Sequence, residues 1–177
     1  MMGHLDIVKG LLAAGADKNK VDKNDHSPLH NAIANDHEEI AKVLICAGAD
    51  LNLADGNGRT PLIAASERDQ VEILRLLLAA GADKNKASDR GNTPLLLALC
   101  KGHLGSVKEL LSFEVDVNKA NSDGWTPLMR ASFRGYVEIV KLRLAARANK
   151  DKADRSGRTA SSVATAKGHQ KIIQLLQ

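Results

Sequence analysis

The chain has 177 residues, is 44% hydrophobic and carries a net charge of +4 with a pI near 9.1, a balance from which a folded protein is expected. No stretch approaches the roughly 20 apolar residues that span a bilayer, and the start MMGHLDIVKG lacks the basic and apolar regions of a secretory leader. Membrane insertion and secretion are therefore set aside, and the expectation is a soluble, intracellular protein of the cytoplasm, with the nucleus as the other compartment considered.

In chain order, the first stretch MGHLDIVKGLLAAGAD is an apolar-periodic run closed by Gly-Ala-Asp. It has the pattern of a second helix with no first helix before it, so residues 1–21 read as a partial unit, as if truncated. Next come Pro28, Pro61, Pro94 and Pro127, each 33 residues after the last, and the following step falls on Ala160. Gly-Ala-Asp at 15–17, 48–50 and 81–83 keeps the same interval and continues as EVD at 114–116 and RAN at 147–149. Two independent markers with one period imply an internal repeat.

The stretches DGNGRTPLIAA, SDRGNTPLLLAL and SDGWTPLMRAS, each followed by an amphipathic run and the Gly-Ala-Asp position, resemble ankyrin repeats. In that register the units are 22–54, 55–87, 88–120 and 121–153, with a shortened capping unit at 154–177, all in one domain over residues 1–177. The resemblance implies an all-α solenoid of stacked helix-turn-helix units with projecting hairpin-like loops.

Within 55–87, Thr60 stands where its side-chain oxygen can cap a first helix, and Pro61 follows at the first helical position. Val71, Ile73, Leu74, Leu76, Leu77 and Leu78 give a second helix that is apolar over much of its circumference, closed at Gly81. Helices this short do not persist alone, so neighbours must stabilise them. In the last unit, Ser161 and Ser162 read as part of a polar cap.

Candidate chemistry is sparse. His4, His37, His103 and His169 share one repeat position, and His30 occupies the Thr-Pro-Leu-His slot of the family, here SPLH. Asp17, Asp50, Asp83 and Asp116 recur at one loop position, and Asp22, Asp55 and Asp154 at another, which points to turn building. Cys46 and Cys100 have neither disulfide nor metal-ligand spacing. No catalytic, cofactor or metal site is expected. Lys18, Lys20, Lys84, Lys86, Lys119, Lys150 and Lys152 form a basic row on the loop tips, but aspartates dilute it, so a solvated edge is favoured over a nucleic-acid surface.

Three of the four aromatic residues, Trp125, Phe133 and Tyr136, lie close together. The family resemblance implies that the exposed face of the first helices and the loop tips bind partners. The residues that fall there are His26, Arg59, Arg68, Arg90, Lys101, Trp125, Phe133, Arg134 and Arg158. Trp125 is expected to be exposed and, with Phe133 and Arg134, to centre a groove for a protein partner, because tryptophan and arginine dominate interface hot spots. Tyr136 replaces the repeated histidine and reads as local packing.

Arg143 stands in the position of Leu11, Leu44, Leu77 and Leu110, and Arg147 in that of Gly15, Gly48 and Gly81. A buried guanidinium would have to reach solvent, find an acid or shift the helix. The resulting expectation is a monomeric, non-catalytic binding module without cofactor. A recognition segment of a larger enzyme or signalling protein and an engineered scaffold are the alternatives, the latter weakened by the eroded EVD and RAN motifs.

Overall fold

Five short inner helices are set off by the Ser or Thr that precedes each of them. They are α2 (Pro28–Ala34), α4 (Pro61–Arg68), α6 (Pro94–Lys101), α8 (Pro127–Arg134) and α10 (Ala160–Ala166). The hydroxyls of Ser27, Thr60, Thr93, Thr126 and Thr159 each accept from the backbone N–H three residues on. Proline at the next position of the first four removes a donor that would have no partner there. The computed structural model describes residues 2–145 and 147–177, with the backbone alone for residues 2 and 3.

The other six helices among the described residues form the outer layer: α1 (Met2–Ala13), α3 (Glu38–Cys46), α5 (Val71–Ala79), α7 (Leu104–Ser112), α9 (Val137–Ala145) and α11 (Gln170–Leu176). The inner helices pack side by side in chain order, and each packs on the outer helix that follows it. The fold of the described residues is therefore an all-α solenoid of stacked helical pairs. Within the outer layer the contact between α7 and α9 is the slightest. No helix among the described residues is long and apolar enough to cross a membrane.

The core consists of columns that run along the stack, one residue from each pair. Leu29, Leu62, Leu95 and Leu128 are buried in the inner layer, and Leu44, Leu77, Leu110 and Leu176 in the outer layer. Arg143 completes the second column and is only 3% exposed. Its Nε and Nη1 have no hydrogen-bond partner among the described residues. Of the three ways out open to a guanidinium in that slot, it has taken none that satisfies these two atoms. Burial accordingly lowers its pKa to about 10.

At the N-terminal end, α1 has no inner helix beside it among the described residues. Leu11 begins the outer leucine column but is 55% exposed, and Ile7 is 60% exposed. The physical reason is the missing preceding helix, since the position of Leu11 is closed at Leu44, Leu77 and Leu110, where an inner helix comes before the outer one.

The Gly-Ala-Asp position requires a left-handed backbone. Gly15, Gly48 and Gly81 have φ of 81°, 75° and 90°, and Glu114 and Arg147 hold the same conformation at 53° and 56°. Erosion of the motif has kept the turn and placed side chains where they strain it. Beyond each such turn the chain projects and is tied to its neighbours. Asn19, Asn52, Asn85 and Asn118 accept, through Oδ1, the backbone N–H of Asp50, Asp83, Asp116 and Asn149.

Five of the seven loop lysines also donate to this ladder. Lys86 and Lys119 donate to the carbonyls of Asn52 and Asn85 at 3.0 and 2.8 Å, and Lys152 reaches that of Asn118 at 3.5 Å. Lys84 donates to Phe113 O, and Lys150 to the carbonyls of Leu176 and Gln177. A donor spent on a carbonyl one unit away staples the stack and is less available to a ligand.

Candidate interaction face

The turns before each inner helix are built by acids and amides. Asp55 Oδ1 accepts from the N–H groups of Asn57 and Arg59, and Asp154 Oδ1 from those of Ser156 and Arg158. Arg59 and Arg158 also return their Nε to Oδ2 of the same aspartate, at 3.0 and 2.7 Å. Burial works against charge on both carboxylates, but these amide and guanidinium hydrogen bonds outweigh it and hold both pKa values below the ordinary range. Asp22 caps its turn the same way, accepting from the N–H groups of Asn24 and His26.

Two of the expected contact residues are thereby fixed by their own turns. Arg59 also reaches Glu67 at 3.2 Å and lines, with Asp89, Arg90 and Asn92, a cleft of about 370 Å³ between successive turns. His26 is half-buried, with its nitrogens 3.8 Å from Asp22 and 3.7 Å from Asp55. It stands at the N-terminal end, away from the aromatic residues.

Trp125 is not the exposed ring expected from the sequence. It is 9% exposed and meets Phe133 edge to face, with ring centroids 5.6 Å apart. The guanidinium of Arg130 lies over its ring at 4.3 Å and that of Arg158 at 5.1 Å, while Lys167 covers Phe133 at 4.5 Å. The physical reason is cation–π packing, in which long cationic side chains lay their planar or methylene portions on the rings and keep their charge near water.

Arg130 was absent from the sequence-based site. The signal for it was present, because it occupies the inner-helix position held by Asn31, Ala64 and Leu97 in other units. Its Nε is buried and has no partner among the described residues.

Arg134 is exposed but has a structural task as well. His103 Nε2 and His169 Nε2 donate to the carbonyls of Glu67 and Phe133, which stand in equivalent positions. In the unit between them Tyr136 replaces the histidine, and Arg134 donates instead to the matching carbonyl, Cys100 O. Arg68, Arg90 and Lys101 are exposed, as expected. Cys100 is half-buried, and burial pushes its thiol pKa up, which disfavours the nucleophilic thiolate.

A model of ankyrin repeats (three copies) matches residues 1–88 and 83–154. The chain belongs to the ankyrin-repeat family. Residues 155–177, including α11, lie beyond the matched region yet continue the same stack. No curated protein matches the chain in a direct sequence search. Ankyrin repeats are generally protein–protein interaction modules.

Proposed function

We propose that the chain is a non-catalytic interaction module that binds a protein partner across the inner-helix ends and turn tips. Arg68, Arg90, Lys101 and Arg134 supply exposed contacts, Arg59, Arg158 and His26 frame them, and Trp125 with Phe133 forms an aromatic floor beneath Arg130, Arg158 and Lys167. The observation that carries this reading is a set of exposed cationic side chains on one edge of the inner layer, most of which the stack itself does not need. Area alone does not give affinity, so a few desolvated anchors within that face would supply most of it.

The test is a pull-down from cell lysate with three proteins: the wild-type chain, the inner-edge variant Lys101→Glu/Arg134→Glu, and the outer-layer variant Lys108→Glu/Lys141→Glu. Proteins retained by the wild type and the outer variant but lost from the inner variant support the proposal. Equal retention by all three would place the contact elsewhere.

A further inference from the structure

Four cations recur at one register position: Arg68, Lys101, Arg134 and Lys167, each 33 residues apart. The first three are the last residues of α4, α6 and α8, and Lys167 follows the last residue of α10. All four are exposed and none is in an ion pair among the described residues, although Arg134 gives one of its five donors to the carbonyl of Cys100. Because the inner helices pack side by side in order, these side chains form a line along the stack rather than a scatter.

The acids near the line are few and mostly engaged. Glu67 is held by Arg59, Asp69 accepts from the hydroxyl and N–H of Ser106, and Asp36 accepts from Gln70. Asp154 is spent on Arg158. After the ladder residue comes Asp69 in α4's unit, but Gly102, Gly135 and Gly168 in the next three, so the C-terminal rungs have no carboxylate beside them in sequence. Arg130 enlarges the same patch, with its buried Nε unpartnered. The negative end of a short helix accounts for a cation at each rung. It does not account for Arg90 and Arg130, which lie away from the C-terminal helix ends and add to the same sign.

We infer that this ladder takes an extended, acidic segment of a partner protein with one carboxylate at about every third residue. The inference rests on the interaction-module reading and adds the chemistry and spacing of the partner. Adjacent packed helices are about 8–10 Å apart, and a chain extended as polyproline II advances about 3.1 Å per residue and returns every third side chain to the same face. Three residues therefore span one rung, and a carboxylate repeated at that interval meets Arg68, Lys101, Arg134 and Lys167 in succession. Contiguous carboxylates reach one or two rungs and repel one another.

The test uses two synthetic peptides of about twelve residues with identical composition. One has glutamate at every third position among glycine, serine and threonine, and the other has its glutamates in one block. Each is titrated into the isotopically labelled 177-residue chain and followed by NMR at about 0.05 M and about 0.5 M salt. The spaced peptide is expected to bind about tenfold more tightly than the block peptide at low salt, to shift amides beside Lys101, Arg134 and Lys167, and to weaken at high salt. In Lys101→Gln/Arg134→Gln/Lys167→Gln the advantage should vanish.

Equal affinities of the two peptides, or an advantage that survives the triple variant, would overturn the ladder. So would a single-stranded oligonucleotide of similar length that binds more tightly than the spaced peptide, since it would show a phosphate-tracking surface. If the inner edge captures a protein from lysate while the peptides show no spacing preference, the module reading stands and the ladder fails.

Discussion

Arg143 puts a buried guanidinium, two of its nitrogens without a partner among the described residues, into a leucine column. Because burial lowers its pKa, the folded state holds the charged form less readily than the unfolded chain does, and at neutral pH the position works against folding. Arg143→Leu should raise stability by about 1–3 kcal/mol, the range for a buried apolar side chain. Arg147→Gly should add about 1 kcal/mol by relieving a left-handed backbone. Chemical denaturation of both variants checks this, and a lower midpoint for Arg143→Leu would mean that the guanidinium is satisfied in solution. Trp125→Ala has the opposite expectation: loss of a buried ring should cost about 3 kcal/mol or more. That substitution would confuse stability with binding, so exposed Lys101, whose ammonium makes no hydrogen bond among the described residues, serves better as a probe.

His30 supplies a pH test. Its Nε2 donates to the carbonyl of Arg59 at 3.0 Å, so in the neutral ring Nδ1 is left to accept from Ser27. Protonation of Nδ1 would break that cap. Burial lowers the His30 pKa, the Arg59 carbonyl only partly offsetting it. The unfolded chain thus binds a proton more readily below the ordinary value of 6.5, and stability should fall as pH drops from there toward the folded value. Asp22, Asp55 and Asp154, all depressed, contribute stability above about pH 3.8 that is lost as pH falls through their folded values. Melting at pH 7 and about pH 5.5 should differ in the wild type and differ less in His30→Gln; an unchanged difference would contradict the role of His30.

Among the elements, α9 is the weakest point. Its column residue is charged and its contact with α7 is slight, so hydrogen exchange in α9 through α11 should be faster than in α4 and α5. Uniform protection along the chain would contradict this. The inner helices were legible from the sequence because Thr-Pro fixes a cap and a first residue locally. The left-handed turns were legible as glycine positions even where Glu114 and Arg147 replaced the glycine. The covering of Trp125 and Phe133 was not, because it depends in part on Arg158 and Lys167 reaching back from the next unit, and the apolar pattern of one unit does not encode that. The carbonyl ties of Lys86 and Lys119 were missed for the same reason: each partner lies 34 residues away.

At the scale of the whole molecule, the stack has two unlike edges. The projecting turns carry lysines that are bound to backbone carbonyls, whereas the inner-helix ends carry Arg68, Lys101, Arg134 and Lys167 in a line beside an aromatic floor. Function is assigned to the second edge because its charge is mostly not consumed by the fold. The most direct test places a photo-activated cross-linking residue at Lys101 in one protein and at Leu142, 51% exposed on the outer layer, in another. After irradiation in lysate, the account predicts a discrete protein adduct from position 101 and none from position 142. Adducts from 142 alone, or from neither position, would contradict it.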